Sequence, residues 1–402
     1  MKILLISNKA PYPPKDGQAI AVFNMANGLL DNGAEVHVLV INTKKQFRPD
    51  ENIPVDFRVA ANYQSVFRNT DVTALGAFAN MFSRDSYFVS RFFFEDYAEA
   101  LKRKLNEVKF DIVQIEGVFM AVYLPIIREY SKAKVVLRSH NIEYVIWERY
   151  IQSSSNKLKN LYINIQKNRL KKFEIDVFNN VDAIVPITSV DGDALQQIVP
   201  NKPIHSSITG IDLRKYPAIA AAKVPSSIFY FGSMDWLPNL EAVEWFKSNC
   251  WEQVKRNTSA DLKWIIAGLN MPAHILAYAD NDDRIETIAN VPDAFEFYQT
   301  YNIQLAPILS GSGLRIKLVE GISYGKPIIT TAIGMEGLGC TNDKELRIAD
   351  TAASFASNVI ELANDVQLQQ RLSSAARAYA VQHFDNKTLT SRLLSFYEGL
   401  PS

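Results

Sequence analysis

Two series of short apolar runs, each run followed by a polar loop and a stretch of helical period, fill this chain of 402 residues. Such alternation builds βα units around a parallel sheet, and it leaves few other folds open. In the first series Lys2 to Ser7 reads as a buried strand. The loop from Asn8 to Ala19, marked by Pro11, Pro13, Pro14 and Gly17, leads to an amphipathic helix from Ile20 to Leu30. Asp31-Asn32-Gly33 stops that helix, and a second strand runs from Glu35 to Ile41. One βαβ unit predicts a parallel sheet with ligands at the carboxyl ends of its strands. Further strands are expected at Asp111 to Ile115, Lys134 to Arg138 and Asp182 to Ile187. Two helical stretches lie between them. Thr73 to Val108 is rich in aromatics, including Phe78, Phe82, Tyr87 and Phe92, and Ile142 to Asn180 carries a basic stripe.

The pattern breaks near Gly210. Lys215-Tyr216-Pro217 and the alanine run Ala218 to Ala222, closed by Pro225, read as an interdomain linker. A second series follows, with strands at Ile228 to Phe231, Leu262 to Ala267, Arg284 to Ile288, Ile303 to Ala306, Pro327 to Thr331 and Leu346 to Ile348. Its helices are expected at Leu240 to Cys250, Ala352 to Ala363 and Val366 to Phe384, and Leu389 to Leu400 closes the chain. The fold class is therefore α/β, with two facing doubly wound domains and a cleft between them.

Charge and composition narrow the functions. Lysine plus arginine equals aspartate plus glutamate, at 43 each, so no global field attracts nucleic acid and any anion site must be local. The apolar start, Met1 to Ile6, is too short for the core of a signal peptide. No stretch approaches the ~18 apolar residues of a membrane span. Cys250 and Cys340 stand far apart, which argues against a disulfide framework or a zinc site. The expectation is a soluble, cytoplasmic protein.

The densest chemistry lies between Pro307 and Leu338. There the small-residue loop Ser310-Gly311-Ser312-Gly313 runs directly into a helix, leaving free backbone N–H groups and a dipole that favour an anion. Leu314 leads into Arg315 and Lys317, two cations in the first turn. Cations there are locally unfavourable by about 0.3 to 1 kcal/mol each, so two of them point to an anion nearby. Glu320 follows, placed to accept hydrogen bonds from a vicinal diol such as a ribose. Phosphate first and sugar hydroxyl next is how a nucleotide is read. The loop is not a Walker motif, since no Gly-Lys-Ser/Thr follows, and Ser312 lacks the flanks of a hydrolase nucleophile elbow.

His140 follows the expected strand Lys134 to Arg138, at the sheet edge where such folds place their sites. Glu116 sits at the same edge, either as a rim carboxylate or helix cap or as part of the site. Gly17 either lets the backbone approach a phosphate or completes a turn. The second series has an equivalent loop, Gly232-Ser233-Met234-Asp235-Trp236-Leu237-Pro238-Asn239. No Asp-x-Asp spacing offers a divalent-ion site. The stripe Lys157, Lys159, Lys167, Arg169, Lys171 and Lys172 is either a solvated face or a contact for an anionic membrane or a lipid-linked acceptor.

Taken together, these motifs resemble a retaining glycosyltransferase of family 4 with the two-domain GT-B fold. The resemblance runs nearly end to end. It is strongest in the Gly232 to Asn239 segment, the Gly210-Ile211-Asp212 turn and Pro307 to Leu338, and it extends to a subgroup with Arg-x-His-Asn-x-Glu, here Arg138 to Glu143, and a Gly-x-Arg-x-Lys-x-x-Glu donor helix, here Gly313 to Glu320. It implies a nucleotide-diphosphate sugar as donor, no further cofactor and no metal, and a glycan or lipid-linked acceptor in surface polysaccharide synthesis. It also implies an acceptor-side Rossmann-like domain at residues 1–208, joined by the last helix, 387–402, and a donor-binding Rossmann-like domain at residues 209–386. By resemblance Glu320 holds the ribose, His140 lies near the transferring sugar, Gly17 covers the diphosphate and Val291-Pro292-Asp293 flanks the base.

Two departures stand out. Ser312 occupies the place of the first glutamate of the family's Glu-x7-Glu motif, which contacts the donor sugar. The Gly232 loop lacks the arginine and lysine that many relatives carry, and Arg315 and Lys317 are placed to supply that charge instead. The competing readings are a nucleotide-sugar epimerase of the same architecture and a non-catalytic nucleotide-sugar-binding subunit of a transferase complex. A peripheral position on the inner face of the membrane is the corresponding expectation for the basic helix.

Overall fold

The structure, a computed structural model, describes all residues except 14–16, 45, 46, 48, 72, 74, 75, 77–79, 81, 82, 84, 154–156, 235, 311–314 and 402. Among the described residues the strands form two six-stranded sheets, and every neighbouring pair is parallel. The first holds β1 (Lys2–Ser7), β2 (Glu35–Thr43), β3 (Gln64–Arg68), β4 (Ile112–Glu116), β5 (Lys134–Ser139) and β6 (Ala183–Pro186), in the order β3-β2-β1-β4-β5-β6. The second holds β7 (Val224–Phe231), β8 (Lys263–Gly268), β9 (Ile285–Ala289), β10 (Tyr301–Ala306), β11 (Ile328–Thr330) and β12 (Arg347–Ile348), in the order β12-β11-β10-β7-β8-β9. Counted from its own first strand, each sheet has the doubly wound order 3-2-1-4-5-6. The switch points therefore fall between β1 and β4 and between β7 and β10, where doubly wound sheets place their ligands.

Strands buried on both faces explain the unbroken apolar runs. Ile3, Leu4, Leu5 and Ile6 of β1 are all fully buried, alternating between two cores. Leu4 and Ile6 join Leu39, Tyr97, Leu101, Tyr123 and Leu137 on one face. Ile3 and Leu5 join Met25, Leu29, Val38, Leu393 and Tyr397 on the other. Each such side chain contributes about 1.5 to 3 kcal/mol relative to exposure. In the second sheet Tyr230, Phe246, Trp264 and Phe355 fill one face, and Phe229, Phe297, Tyr298 and Tyr324 the other.

The chain divides into two compact units, Met1–Ile211 with Asn386–Ser402, and Asp212–Asp385. The last helix, Asn386–Glu398, packs on the first, Gly17–Asp31. Gly28 permits this approach, because a Cβ there would meet Asn386 Nδ2 and Thr390 Cγ2 at 2.5 and 2.7 Å.

Several expectations are corrected. The basic stretch is two helices, Glu143–Ser153 and Lys157–Asn180, rather than one. The aromatic stretch contains helices Tyr87–Ser90 and Glu95–Glu107, while Phe78 and Phe82 lie outside the described residues. Strand β3 and the helices Trp251–Asn257, Ala273–Asn281 and Ala294–Thr300 were not anticipated. The segment read as a linker is packed onto the second unit: the N–H of Ile219 donates to the carbonyl of Tyr324 at 3.0 Å, and the Tyr216 ring lies 5.1 Å from that of Tyr324.

Candidate active site

In the first unit the carboxyl edge of the sheet carries a chain of buried polar groups. Glu116 is the last residue of β4, and Gly117 turns away from it at φ +84, a conformation that favours glycine. His140 directly follows β5, and its Nε2 lies 2.7 Å from Oε2 of Glu116. Behind it, Gln114 Nε2 donates to the other Glu116 oxygen, and the Tyr397 hydroxyl donates to Gln114 Oε1. Burial opposes ionisation of Glu116, but the charge of buried Arg138 and the hydrogen bonds from His140 and Gln114 outweigh it and hold its carboxyl below the ordinary value. An ionised Glu116 accepts from the imidazole Nε2–H, which fixes the ring and leaves Nδ1 as its other polar atom. The segment beyond His140 is held in place as well. Glu174 accepts from the N–H groups of Glu143 and Tyr144 at 2.9 and 3.1 Å and so caps their helix. Gly17 opens the helix after the first loop.

In the second unit the corresponding edge gathers the Gly232 loop and the helix Ile316–Tyr324. Arg315 is the N-cap of this helix rather than part of its first turn. Burial disfavours the Arg315 charge and Glu336 partly offsets it. Lys317 turns inward. Its Nζ donates to the Tyr230 hydroxyl at 2.8 Å and to Asn239 Oδ1 at 2.6 Å, and lies 4.6 Å from the Tyr230 ring centre. Burial, with Arg315 adding to it, pushes the Lys317 ammonium down to about 7. Asn239 Nδ2 donates to the carbonyl of Ser233 at 2.7 Å, tying the Gly232 loop to the same cluster. A Cβ at Gly232 would meet Lys317 Nζ at 2.9 Å and Asn239 Nδ2 at 3.0 Å.

Glu320, one turn beyond Lys317, shares its side of the helix. Burial pushes its carboxyl up to about 7, and a hydrogen bond from the Tyr216 hydroxyl at 3.3 Å works against that rise. The helix backbone is held from below by Tyr298 Oη and Gln304 Nε2, which both donate to the carbonyl of Lys317, at 3.2 and 3.0 Å. Gly325 ends the helix at φ 73. Val291 packs against the aromatic core around Phe229 and Phe297. Ser312, Gly313 and Leu314 lie outside the described residues.

Of the residues singled out in the sequence, Lys317, Gly232 and Ser233 meet in one cluster, Glu320 stands beside it, and His140 heads a separate network in the first unit. Tyr216, Tyr230, Asn239, Gln114 and Tyr397 were not anticipated as partners. Only Asn239 carried a signal, as the last residue of the Gly232 loop motif. Much of the basic helix is engaged internally. Lys167 lies 3.7 Å from Glu148, Arg169 donates to the carbonyl of Asn80 at 2.9 Å, Lys159 donates to the Tyr150 hydroxyl at 2.7 Å and Lys171 covers the Tyr144 ring. Leu161 and Ile165 on the same helix are exposed. Among the described residues no helix is long and apolar enough to cross a membrane.

Two doubly wound units of like strand order are the architecture of GT-B glycosyltransferases, and solved structures of that class align along the whole chain. Sucrose-phosphate synthase from Thermosynechococcus elongatus aligns with a TM-score of 0.67 at 14% identity, covering 99% of this chain and 98% of that one. Anabaena HepE in complex with UDP aligns at 0.62 and 12%, covering 100% of both, and TarM at 0.64 and 9%, covering 99% of both. Residues 15–215 match the model of Glycosyltransferase Family 4, and residues 225–365 match that of Glycosyl transferases group 1. The chain belongs to glycosyltransferase family 4. It is 21% identical over 399 residues to a Klebsiella pneumoniae protein described as an uncharacterized 44.6 kDa protein in the cps region, covering 98% of each.

Proposed function

We propose that the protein is a retaining, metal-independent glycosyltransferase that moves a sugar from a nucleotide-diphosphate sugar to a glycan or lipid-linked acceptor during surface polysaccharide assembly. The observation that carries this reading is the order Arg315, Lys317, Glu320 at the switch point of the second sheet, beside a loop whose glycine leaves room for the Lys317 ammonium. HepE has been solved with UDP, with UDP and glucose and with UDP-glucose, and the Klebsiella relative lies in a cps region. Both support a nucleotide-sugar donor and a polysaccharide product.

In this reading residues 209–386 hold the donor, and residues 1–208 with 387–402 serve the acceptor. Arg315 and Lys317 balance the charge that grows on the β-phosphate as the bond from the anomeric carbon to the phosphate oxygen breaks. The acceptor oxygen bonds to that carbon from the same face, and its proton passes to the departing phosphate. Glu320 accepts from the ribose hydroxyls, Val291 flanks the base, and Gly17, Gly313 and Leu314 add backbone contacts to the donor. His140, its ring fixed through Nε2, serves the transferring sugar through Nδ1. With a serine at 312, the donor sugar meets a hydroxyl where many relatives offer a carboxylate.

Membrane contact belongs to the same proposal, with exposed Leu161 and Ile165 entering the interface beside Lys172. Flotation with anionic vesicles tests it, and equal flotation of wild type and Leu161→Glu/Ile165→Glu removes it. The transferase reading is tested by incubating the protein with UDP-glucose and other nucleotide sugars, with and without an acceptor extract. Acceptor-dependent release of nucleoside diphosphate, with the anomeric configuration of the product kept, is expected. An isomerised donor would instead establish an epimerase, and binding without turnover a non-catalytic subunit.

A further inference from the structure

Among the described residues no carboxylate partners the ammonium of Lys317. Among the described residues the titratable and charged groups around Lys317 are Tyr230 on β7, Tyr298 on the helix Ala294–Thr300, and Arg315 and Glu320 flanking it on its own segment. Among these residues the ammonium is held by two neutral oxygens, the Tyr230 hydroxyl and Asn239 Oδ1. An ammonium has three N–H donors. Among the described residues two are used, which leaves one for a ligand.

Asn239 is the centre of this arrangement. Its Oδ1 accepts from Lys317 Nζ at 2.6 Å and from the Tyr230 hydroxyl at 3.0 Å, while its Nδ2 donates to the Ser233 carbonyl at 2.7 Å. One amide thus orients the cation, occupies the hydroxyl proton of Tyr230 and fixes the loop after β7. A carboxylate of the same shape would hold the ammonium more strongly and cancel its charge. An amide holds it and leaves the charge for the ligand.

We infer that Asn239 is a positioning residue of the donor site, kept neutral so that Lys317 presents an uncancelled positive charge to the diphosphate of the donor. The inference rests on the transferase reading above and adds to it the residue that sets the site's preference for a diphosphate.

Asn239→Asp preserves size and adds an ion pair with Lys317; like Asn239→Ala it gives up the Nδ2 bond to the Ser233 carbonyl, so the difference between the two variants reads the added charge. Isothermal titration with UDP, thermal melting and steady-state kinetics are measured on the wild type, Asn239→Asp and Asn239→Ala. For Asn239→Asp the melting temperature is expected to be no lower than for Asn239→Ala, because the ion pair with Lys317 offsets the lost Ser233 bond, and UDP binding to weaken about tenfold or more, the equivalent of one charge-assisted contact. The donor KM rises and the acceptor KM does not. Asn239→Ala, which frees Lys317 without adding charge, also weakens UDP binding. It serves as the second test should the aspartate variant fold poorly. UDP affinity unchanged in both variants overturns the inference and leaves the donor-site reading standing. A wild-type protein that binds neither UDP nor any of GDP, ADP and CDP overturns both.

Discussion

Nε2 of His140 lies 2.7 Å from a carboxylate oxygen of Glu116, a residue with no exposed surface. A histidine at a strand end is often only a structural residue, but here its orientation is fixed by a buried acid that is itself held by Gln114 and Arg138. His140→Ala is expected to lower turnover about tenfold or more with little loss of stability, since a positioned acid-base or hydrogen-bonding group contributes on that scale. Glu116→Gln keeps the shape but removes the charge facing Arg138. It is expected to cost about 1.5 to 3 kcal/mol of stability as well as turnover. Kinetics and denaturant melts on both variants check the pair, and normal turnover in His140→Ala would remove the residue from the mechanism.

Glu320 and Arg315 are predicted to matter for the donor alone. Arg315→Ala and Glu320→Ala should each reduce kcat/KM for the donor about tenfold or more, the loss expected for one charged contact. Circular dichroism should show the fold intact. Tyr216→Phe takes away the hydrogen bond to Glu320 and should raise the donor KM by a smaller factor. Near-normal turnover in Arg315→Ala would contradict the idea that this helix replaces the charges missing from the Gly232 loop.

Opposite pKa shifts one helical turn apart give the donor step a pH signature. Glu320, raised to about 7 by burial, loses its acceptor charge as pH falls below that value. Lys317, lowered to about 7 by burial and Arg315, loses its proton as pH rises above it. The plot of kcat/KM for the donor against pH should therefore be a narrow bell centred near 7, and Glu320→Gln should flatten its acid limb. A profile flat from pH 6 to 8 would contradict this assignment.

The same lysine should be costly to the fold. Its pKa is depressed on folding, so the full cost of burying its charge is present below pH 7 and is relieved as pH rises toward its ordinary value of 10.5. Lys317→Met is thus expected to raise the melting temperature at pH 6 and to lose this advantage at higher pH, while UDP binding fails. Melting curves across pH settle the sign.

Two glycines should respond differently to alanine. At Gly232 the new methyl would push on the end of a flexible side chain, Lys317 Nζ, so stability should hold while UDP affinity falls. At Gly268, with φ +154, the methyl would run into the backbone carbonyl of Gly232, so the fold itself should weaken. Thermal melting and UDP titration of both variants distinguish the two outcomes.

Most of the fold was legible in the sequence because strands buried on both faces write themselves as unbroken apolar runs, as Lys2–Ser7 and Lys263–Gly268 do. Strand β3 was not legible. It is an edge strand, only partly buried, and its sequence Gln-Ser-Val-Phe-Arg carries too few apolar residues to stand out. The charged part of the site was readable because Arg315, Lys317 and Glu320 share one short segment. Their neutral supports were not, since Tyr230, Tyr216 and Asn239 come from separate elements and look like ordinary core or loop residues until the sheet order brings them together. Tyr397 stands 283 positions from the Gln114 it bonds, and no local pattern reports such a distance.

The return of the last helix to the first unit also orders the birth of the molecule. During synthesis the segment Asp212–Asp385 emerges complete and can form its own sheet and cores, whereas the unit that begins at Met1 still lacks Leu393 and Tyr397. The part translated first is therefore the part finished last. Until those residues leave the ribosome, Gln114 has no tyrosine hydroxyl to meet, and the support behind His140 is unfinished.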